Sequence, residues 1–418
     1  MTEDDVREAS GRIEELILPF DSIFGKEESR RHARTYLKGL MSGLSRKSIE
    51  PIALAIGGGR MSALQKFVNA APWRASSVMK EIQRAFGSRV EMARKGPTVL
   101  TVHEHGFAKK GRESVGVSRQ WNATSRRNEN SQVGIYLVAS NGEFSSLLDC
   151  RLYLPATWCD GSEVVRRRRL RTHVPIGSHH LTKSQIAMDL LQRCRSMALV
   201  EVDWVVTGAD FSGEGEAIDG LEVSQPRFLV EVSPNEMVFA REPIRPGSEA
   251  AGESFPGHDE ILSTVSGLCE ILSSDRWRIV LMNTSTGLVR QKYAMIRIRS
   301  PLPSMVSRPL WLIIRGNSDD DYDSLRYFLS EAGPGSPLDE IAHAIHQADS
   351  ASRFFLEAER LFGLGHYETR SWEGWNHHMS LVALAHWFTS CSMSAPSTSL
   401  TSPDDCAPGL STAEPERF

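Results

Sequence analysis

Apolar residues recur at helical spacing through the first part of the chain. Tyr36, Leu37, Leu40, Met41 and Leu44 form one such stripe, which is typical of an amphipathic helix. Similar stripes predict further helices over 49–56, 61–70 and 74–86, with glycines 57–59 ending the first of these. Short helices with tight glycine-containing links suit a helix-turn-helix module or a small helical bundle, and the pattern does not separate the two.

The pattern changes after Pro97, where apolar and polar residues begin to alternate. It predicts a helix over 183–197 and a nearly all-apolar, central strand over 200–207. Before that helix it predicts consecutive strands over 99–103, 114–119, 132–139 and 144–153. Strands followed by a helix and a buried strand indicate an α/β fold built on a mixed sheet.

The second half of the chain is predicted to add strands and then two helices. Strands are expected over 228–232, 277–282, 293–299 and 310–315, a loop over about 243–258, and helices over 338–362 and 374–388. Ser, Thr and Pro dominate the tail, which predicts disorder. The predicted domains are a helical 1–94, the first part of an α/β core over 95–224, a β-rich insertion over 225–335, C-terminal helices over 336–390 and a tail over 391–418.

Net charge and cysteine spacing argue against some classes of protein. The 418 residues carry 48 basic and 52 acidic side chains, a net charge of −4, so DNA binding would have to come from local basic clusters. The six cysteines form no CxxC pair, which argues against a zinc ribbon and fits a reducing cytoplasm. We expect a cytoplasmic protein without a signal peptide or a membrane-spanning helix.

Five strings resemble a known family in both order and spacing. They are GFAKKGRESVGVSRQW from Gly106, NSQVGIYLV from Asn130, CRLYLPATW from Cys150, DWVVTGADFSG from Asp203 and GLGHYETRSWEGWNHHMSLVALAHWF from Gly363. Together they resemble bacterial insertion-sequence transposases with a DDE endonuclease domain, over about residues 12–390. The resemblance implies an RNase H-like mixed sheet with flanking helices, a helical N-terminal domain and a β-rich insertion. It also implies DNA as the partner, and a homodimer is possible.

In that family three acidic residues hold two divalent ions, Mg²⁺ or Mn²⁺, which clamp the attacking and leaving oxygens of a phosphoryl transfer. The matching positions here are His103, Gly208 and Ser352. Glu359 stands where the family has a lysine, so a charge there is reversed. We therefore predict a chain that is defective in two-metal strand cleavage and transfer.

Nearby residues offer alternatives at these positions. Glu104 is adjacent to His103 but should point to the opposite face of its strand, whereas Asp210 lies two residues past Gly208 and could face the site. His103 and His105 share a strand face, and with Asp210 they would suit Fe(II) or Zn²⁺ better than Mg²⁺. The favoured interpretation is that the two histidines are replacements without a ligand role.

Two basic segments are candidates for phosphate contacts. Lys109 and Lys110, with Arg112 and Arg119, adjoin the first motif, and the densest run is Arg166, Arg167, Arg168, Arg169 and Arg171. Each could position DNA through its backbone, or could be a solvated, ion-paired surface. Trp372, Trp375 and Trp387 are predicted to belong to the core, and the His366–Arg370 string to hold the last helices against the sheet.

Four functions are compatible with these observations. The chain could be an inactive transposase that retains DNA binding, or a DNA-binding regulator derived from one. It could be an enzyme of different chemistry with a pocket around His103, His105 and Asp210. Lastly, a shift in alignment could let neighbouring acids rebuild an active endonuclease.

Overall fold

The computed structural model describes residues 1–93, 96–211, 227–241, 260–284, 287–299, 310–317, 325–332 and 335–393. The chain begins with seven helices. They are α1 (Glu3–Gly11), α2 (Ile13–Leu16), α3 (Asp21–Phe24), α4 (Glu27–Leu40), α5 (Ile49–Ala55), α6 (Met61–Ala70) and α7 (Ala75–Ala93). Four strands follow, β1 (Val99–Ala108), β2 (Ser118–Asn122), β3 (Arg127–Ser140) and β4 (Ser145–Leu152), then α8 (Glu163–Arg171), α9 (Lys183–Met197) and β5 (Trp204–Thr207).

The rest of the described chain is rich in strands and closes with two long helices. The strands are β6 (Arg227–Val232), β7 (Met237–Arg241), β8 (Glu260–Thr264), β9 (Arg278–Thr284), β10 (Gly287–Arg299), β11 (Leu310–Asn317) and β12 (Arg326–Ser330), with a short helix α10 (Val265–Glu270) after β8. The closing helices are α11 (Leu338–Phe362) and α12 (Trp372–Met393).

All twelve of these strands join one mixed sheet. Its order is β2-β3-β1-β5-β6-β12-β11-β10-β7-β8, with β4 paired to β3 and β9 to β10. The β1, β5 and β6 strands run parallel at its centre, whereas β1 and β3 pair antiparallel. The fold is therefore a mixed α/β sheet with flanking helices, as predicted and as an RNase H-like domain requires.

Helices cover the two faces of the first half of the sheet. On one face α11 packs on β1, β3 and β4, and on the other face α9 packs on β3 and β4. The adjacent residues His103 and Glu104 show that these are opposite faces. His103 contacts Phe355 of α11, whereas Glu104 forms an ion pair with Lys183 of α9, with 2.7 Å between Oε2 and Nζ. The prediction that Glu104 points away from His103 is confirmed.

The last helix, α12, is surrounded by other elements. It contacts β4, α11 and the N-terminal helices α1, α4, α6 and α7, and nearly all of its residues are buried. A helix that is apolar all round needs such a setting. The N-terminal helices thus belong to the same hydrophobic cluster as the sheet.

Most predicted elements are present, with shifted ends. The strand predicted over 114–119 begins at Ser118, because Val115 and Val117 are buried in the connection before it. The strand predicted over 200–207 begins at Trp204. The sequence pattern did not predict helices α1–α3, α8 and α10 or strands β7, β8 and β12.

Some of the remaining predictions concern described residues, and others concern residues outside the described part of the chain. The strands of the predicted insertion, 225–335, extend the same sheet as the core, and the domain boundaries themselves stay predictions. The loop predicted over 243–258 lies outside the described residues, as does the tail from residue 394, while 391–393 complete α12. No helix within the described ranges is long and apolar enough to cross a membrane.

Candidate active site

The register of the parallel strands sets the two first acid-equivalent positions side by side. Val102 of β1 pairs with Thr207 of β5, and Thr207 pairs with Val230 of β6. The next residues along the three strands are His103, Gly208 and Glu231. The positions matched to the family's first two acids are therefore neighbours across the sheet.

Neither Gly208 nor Ser352 supplies a carboxylate. A Cβ atom added to Gly208 would meet no atom of the described chain within 4 Å, so the space that a side chain would occupy is open. Ser352 is exposed on α11, and its hydroxyl donates to the carbonyl of Ala348 at 3.1 Å. Asp210 lies in a short 3-10 helix, residues 209–211, and its side chain is outside the described part of the structure.

The His103 ring lies edge-on against Phe355, with 5.2 Å between ring centroids. Its Nε2 atom is buried and has no hydrogen-bond partner among the described residues. Burial lowers the pKa of His103 to about 4, with a smaller contribution from the neighbouring His105. The imidazole is therefore neutral at pH 7.

His105 also packs against Phe355. Its ring is nearly parallel to that of Phe355, with 4.8 Å between centroids. Nε2 lies 3.0 Å from Oε1 of Glu359, and Nδ1 lies 3.4 Å from Oγ1 of Thr124. The hydrogen bond from His105 lowers the pKa of Glu359. Glu359 thus orients a histidine.

The hydrogen bonds of His105 disfavour the suggested Fe or Zn site. Both ring nitrogens of His105 already have partners, so metal binding there would require one of them to be released. The part of the chain that the structure describes contains no group of three His, Cys, Asp or Glu residues placed to hold a metal ion. The set of His103, His105 and Asp210 stays a prediction, since the Asp210 side chain is not described.

Four charged side chains form a network beside His103 that sequence reasoning missed. Arg326 of β12 makes a two-pronged ion pair with Glu231, with both nitrogen–oxygen distances at 2.6 Å. Its third nitrogen donates to Asp349 of α11, which also accepts from Arg315 of β11 at 2.5 Å. The charges of Arg326 and Asp349 both act on His103.

Asp349 lies three residues before Ser352, about one helical turn away. Burial by itself would raise the pKa of Asp349, but Arg315 and Arg326 outweigh burial and lower it. The carboxylate is therefore ionised and fully engaged with the two guanidinium groups. The only sequence signal for this network was the presence of Arg315 and Arg326 within apolar strand segments.

The divalent ions that the resemblance implies do not fit these residues. Mg²⁺ and Mn²⁺ need oxygen ligands in a compact set. The three matched positions hold an imidazole, a hydrogen and an exposed hydroxyl, and the neighbouring carboxylates of Glu231 and Asp349 are neutralised by arginines. No step of strand cleavage through metal ions can be derived from the described residues.

The candidate phosphate-binding residues after β1 differ in their surroundings. Lys109 is half-buried with its Nζ atom 3.6 Å from the ring centroid of Tyr367, and burial lowers its pKa to about 8. Lys110, Arg112 and Arg119 are exposed. Lys109 is therefore held inside the structure, while the other three face solvent.

The arginines of α8 also include both partly buried and exposed side chains. Arg168 lies over the ring of Trp158 at 3.9 Å and donates to the carbonyls of Arg112 and Val117. Arg169 donates to the carbonyls of Trp158 and Ser178. Arg168 thus attaches α8 to the connection between β1 and β2, and Arg169 attaches it to the segments around Trp158 and Ser178.

The other arginines of α8 point outward. Arg166 and Arg167 are exposed and share the carboxylate of Glu163, and Arg171 lies 3.4 Å from Glu113. Arg168 donates to the carbonyl of Arg112, and Arg171 lies beside Glu113. The exposed basic residues of α8 and of the segment after β1 therefore lie on one surface. We name it the basic surface, and it consists of Lys110, Arg112, Arg119, Arg166, Arg167 and Arg171.

The string before α12 joins the sheet to the N-terminal helices. Tyr367 donates to Gln132 of β3 at 2.9 Å, and Glu368 forms an ion pair with Arg46. Trp375 and Trp387 are buried, and Trp372 packs partly buried against the core. The predictions that the string holds the last helices in place and that these tryptophans belong to the core are confirmed.

Comparison with known proteins agrees with this fold. The family model described as DDE superfamily endonuclease matches residues 19–286, well over half of the chain. That stretch includes His103 and Gly208 and ends before Ser352. The probable transposase for insertion sequence element IS701 from Microchaete diplosiphon is 27% identical over 190 residues, which is 44% of this chain and 44% of that protein. The chain belongs to the DDE superfamily endonuclease family and is transposase-like.

Proposed function

We propose that this protein binds DNA through the basic surface and does not cleave or transfer strands by two-metal chemistry. The observation that carries the proposal is the replacement of the acid positions. His103 and Gly208, which we match to the family's first two acids, lie side by side, and the neighbouring carboxylates of Glu231 and Asp349 are bound to Arg326 and Arg315.

The energetics of the arginine network support the loss of metal chemistry. To bind a divalent ion, Glu231 or Asp349 would first have to leave its guanidinium partner. Removing one partner of a fully buried ion pair costs on the order of 3–5 kcal/mol. These side chains are 23–31% exposed, so the cost here is a fraction of that, and the ion would have to recover it with only two carboxylates. We therefore expect metal affinity far below that of a three-carboxylate site.

DNA binding is supported by the placement of the basic surface. It lies beyond the end of β1 that carries His103 and His105, so DNA held there would pass close to the former catalytic position. Glu113 and Glu163 offset part of the charge, which leaves a net excess of four positive charges. Such a surface would contact phosphates and position DNA without selecting a sequence.

The cleavage half of the proposal is tested with supercoiled plasmid DNA in Mg²⁺ or Mn²⁺. We expect no nicking by the wild-type protein. Metal-dependent nicking that is abolished in Asp210→Asn would contradict the proposal and show that neighbouring acids rebuild an active site. About one equivalent of Fe or Zn that is lost in His103→Ala/His105→Ala would instead favour different chemistry in this pocket.

The binding half is tested by the salt dependence of affinity for a labelled duplex. For B-DNA the slope of log K against log salt is about −0.9 per phosphate contacted. We expect Arg119→Ala/Arg166→Ala/Arg167→Ala to weaken binding and flatten this slope. Three exposed arginines elsewhere provide the matched control, Arg195→Ala/Arg276→Ala/Arg290→Ala. Equal weakening by both triple variants would exclude the basic surface as the binding site.

A further inference from the structure

Trp121, near the end of β2, is an aromatic side chain left open to solvent. Its exposed fraction is 45%, whereas every other tryptophan of the described chain is buried or only partly exposed. The indole has no ring contact, cation–π contact or side-chain hydrogen bond with a described residue. Aromatic rings contribute strongly to binding when a partner covers them. Trp121 is therefore a candidate contact residue on an otherwise polar surface.

Two arginines flank Trp121 along the β2–β3 hairpin. Arg119 is two residues before Trp121, so the two side chains point to the same side of β2. Arg126 is the last residue of the turn between β2 and β3. Both arginines are exposed, and neither has an acidic partner within the ranges that the structure describes. Groups that can bind phosphates thus lie before and after the ring along the hairpin.

The neighbouring strand leaves the indole ring uncovered. Trp121 pairs with Asn128 of β3, and the next residue of β3 on the same face is Asn130. Asn128 is itself exposed, and its short side chain is much smaller than an indole. Asn130 donates to the carbonyls of Lys109 and Gly111, which directs its amide toward the segment after β1. A planar ligand therefore has room to stack on the indole.

The hairpin that carries Trp121 joins the basic surface to His105. The Oγ1 atom of Thr124, in the turn, lies 3.4 Å from Nδ1 of His105. Trp121 is three residues before Thr124, so the Cα atoms of these two residues are at most about 10 Å apart. In the other direction along the chain, Arg168 of α8 donates to the carbonyl of Val117. Trp121 therefore lies beside the basic surface, on the hairpin that connects α8 with His105.

We propose that an unpaired DNA base stacks on Trp121 while Arg119 and Arg126 bind the phosphates beside it. Trp121 then adds affinity for single-stranded segments and not for duplex, in which both faces of each base are covered by its neighbours. The inference rests on the DNA binding proposed above. Stacking on an aromatic ring tolerates any sequence, because every base has a π face. These three residues would therefore select DNA by its unpaired state.

The experiment measures the affinity of the protein for a labelled oligothymidylate and for a labelled duplex by fluorescence anisotropy. Trp121→Leu removes the aromatic face but keeps an apolar side chain, and Trp121→Phe keeps an aromatic ring. We expect Trp121→Leu to bind oligothymidylate at least about fivefold more weakly than the wild type. Trp121→Phe should recover most of that affinity, and neither variant should change the affinity for duplex. Leu288→Ala, at a position of β10 that is 67% exposed, is the control and should bind as the wild type does.

An oligonucleotide of the same length without bases separates stacking from phosphate contacts. The wild type and Trp121→Leu should bind this abasic strand equally, and as weakly as Trp121→Leu binds oligothymidylate. If Trp121→Leu binds oligothymidylate as tightly as the wild type, or weakens duplex binding by the same factor, the Trp121 proposal is overturned and the DNA binding proposed above stands. If the wild type binds neither oligothymidylate nor duplex, both proposals are overturned.

Discussion

His103 should make the protein sensitive to mild acid. Its pKa is about 4 in the folded chain, against an ordinary value of 6.5 in the unfolded one. As the pH falls below 6.5, the unfolded chain binds a proton that the folded chain cannot accept until about pH 4, so the free energy of unfolding decreases. The difference of 2.5 pKa units, at 1.36 kcal/mol per unit, gives a total loss of about 3.4 kcal/mol. By pH 5 the loss from this residue is about 2 kcal/mol.

The assay is urea unfolding between pH 7 and pH 5, followed by tryptophan fluorescence. The variant is His103→Leu, which removes the titrating group and its unpartnered Nε2 atom. We expect the wild type to lose about 2 kcal/mol more than this variant over that range. His378 also has a pKa of about 4 because of burial, so acid sensitivity should be reduced in the variant but not abolished.

His179→Gln is the matched control, because His179 is exposed. It should lose stability with falling pH as the wild type does. If His103→Leu and the wild type lose the same free energy of unfolding between pH 7 and pH 5, the His103 imidazole is not held neutral beside Phe355 with a buried Nε2 atom as the structure has it.

Three further substitutions test other parts of the structure. Arg326→Met leaves Glu231 without its guanidinium partner, whereas Asp349 keeps Arg315. Because these side chains are only partly buried, the cost should be smaller than the roughly 3–5 kcal/mol of a fully buried pair. The melting temperature should rise with added Mn²⁺ in this variant but not in the wild type or in Arg290→Met, and an unchanged response to Mn²⁺ would count against the arginine network as an obstacle to metal binding. Gly208→Asp should melt close to the wild-type temperature, because its Cβ atom meets open space in the described structure, and a large drop would show that the space is filled. Gly106→Ala places a Cβ atom 2.2 Å from Oδ1 of the buried Asn122 and should cost about 1–3 kcal/mol in urea unfolding, while Gly43→Ala, which meets no described atom within 4 Å, should cost little.

The two strings around His103 and Gly208 are local features of the sequence. His103 lies just before the Gly106 motif, and Gly208 directly follows the apolar strand of Trp204–Thr207. Val102 pairs with Thr207 in parallel, so Gly208, after the end of β5, lies beside His103 in the middle of β1. The match of these two positions to the family's acids stays a prediction.

The arginine run shows where the sequence falls short. Five arginines within six residues look alike in the sequence, yet Arg168 and Arg169 are used to attach α8, and Arg166 and Arg167 face solvent. What separates them is the position of Trp158 and of the carbonyl groups of Arg112, Val117 and Ser178. Those partners are brought to α8 only when the chain folds.

The sequence by itself determined the class of fold and the family resemblance, because strand alternation, helical stripes and short motifs are local properties. Only the tertiary structure decided which charged groups lie beside His103. Glu231, Arg315, Arg326 and Asp349 come from three strands and one helix, and no spacing in the chain links them. Charges so far apart in sequence pair only when sheet order and helix packing remove them from water together, so their partners could not be predicted from the sequence.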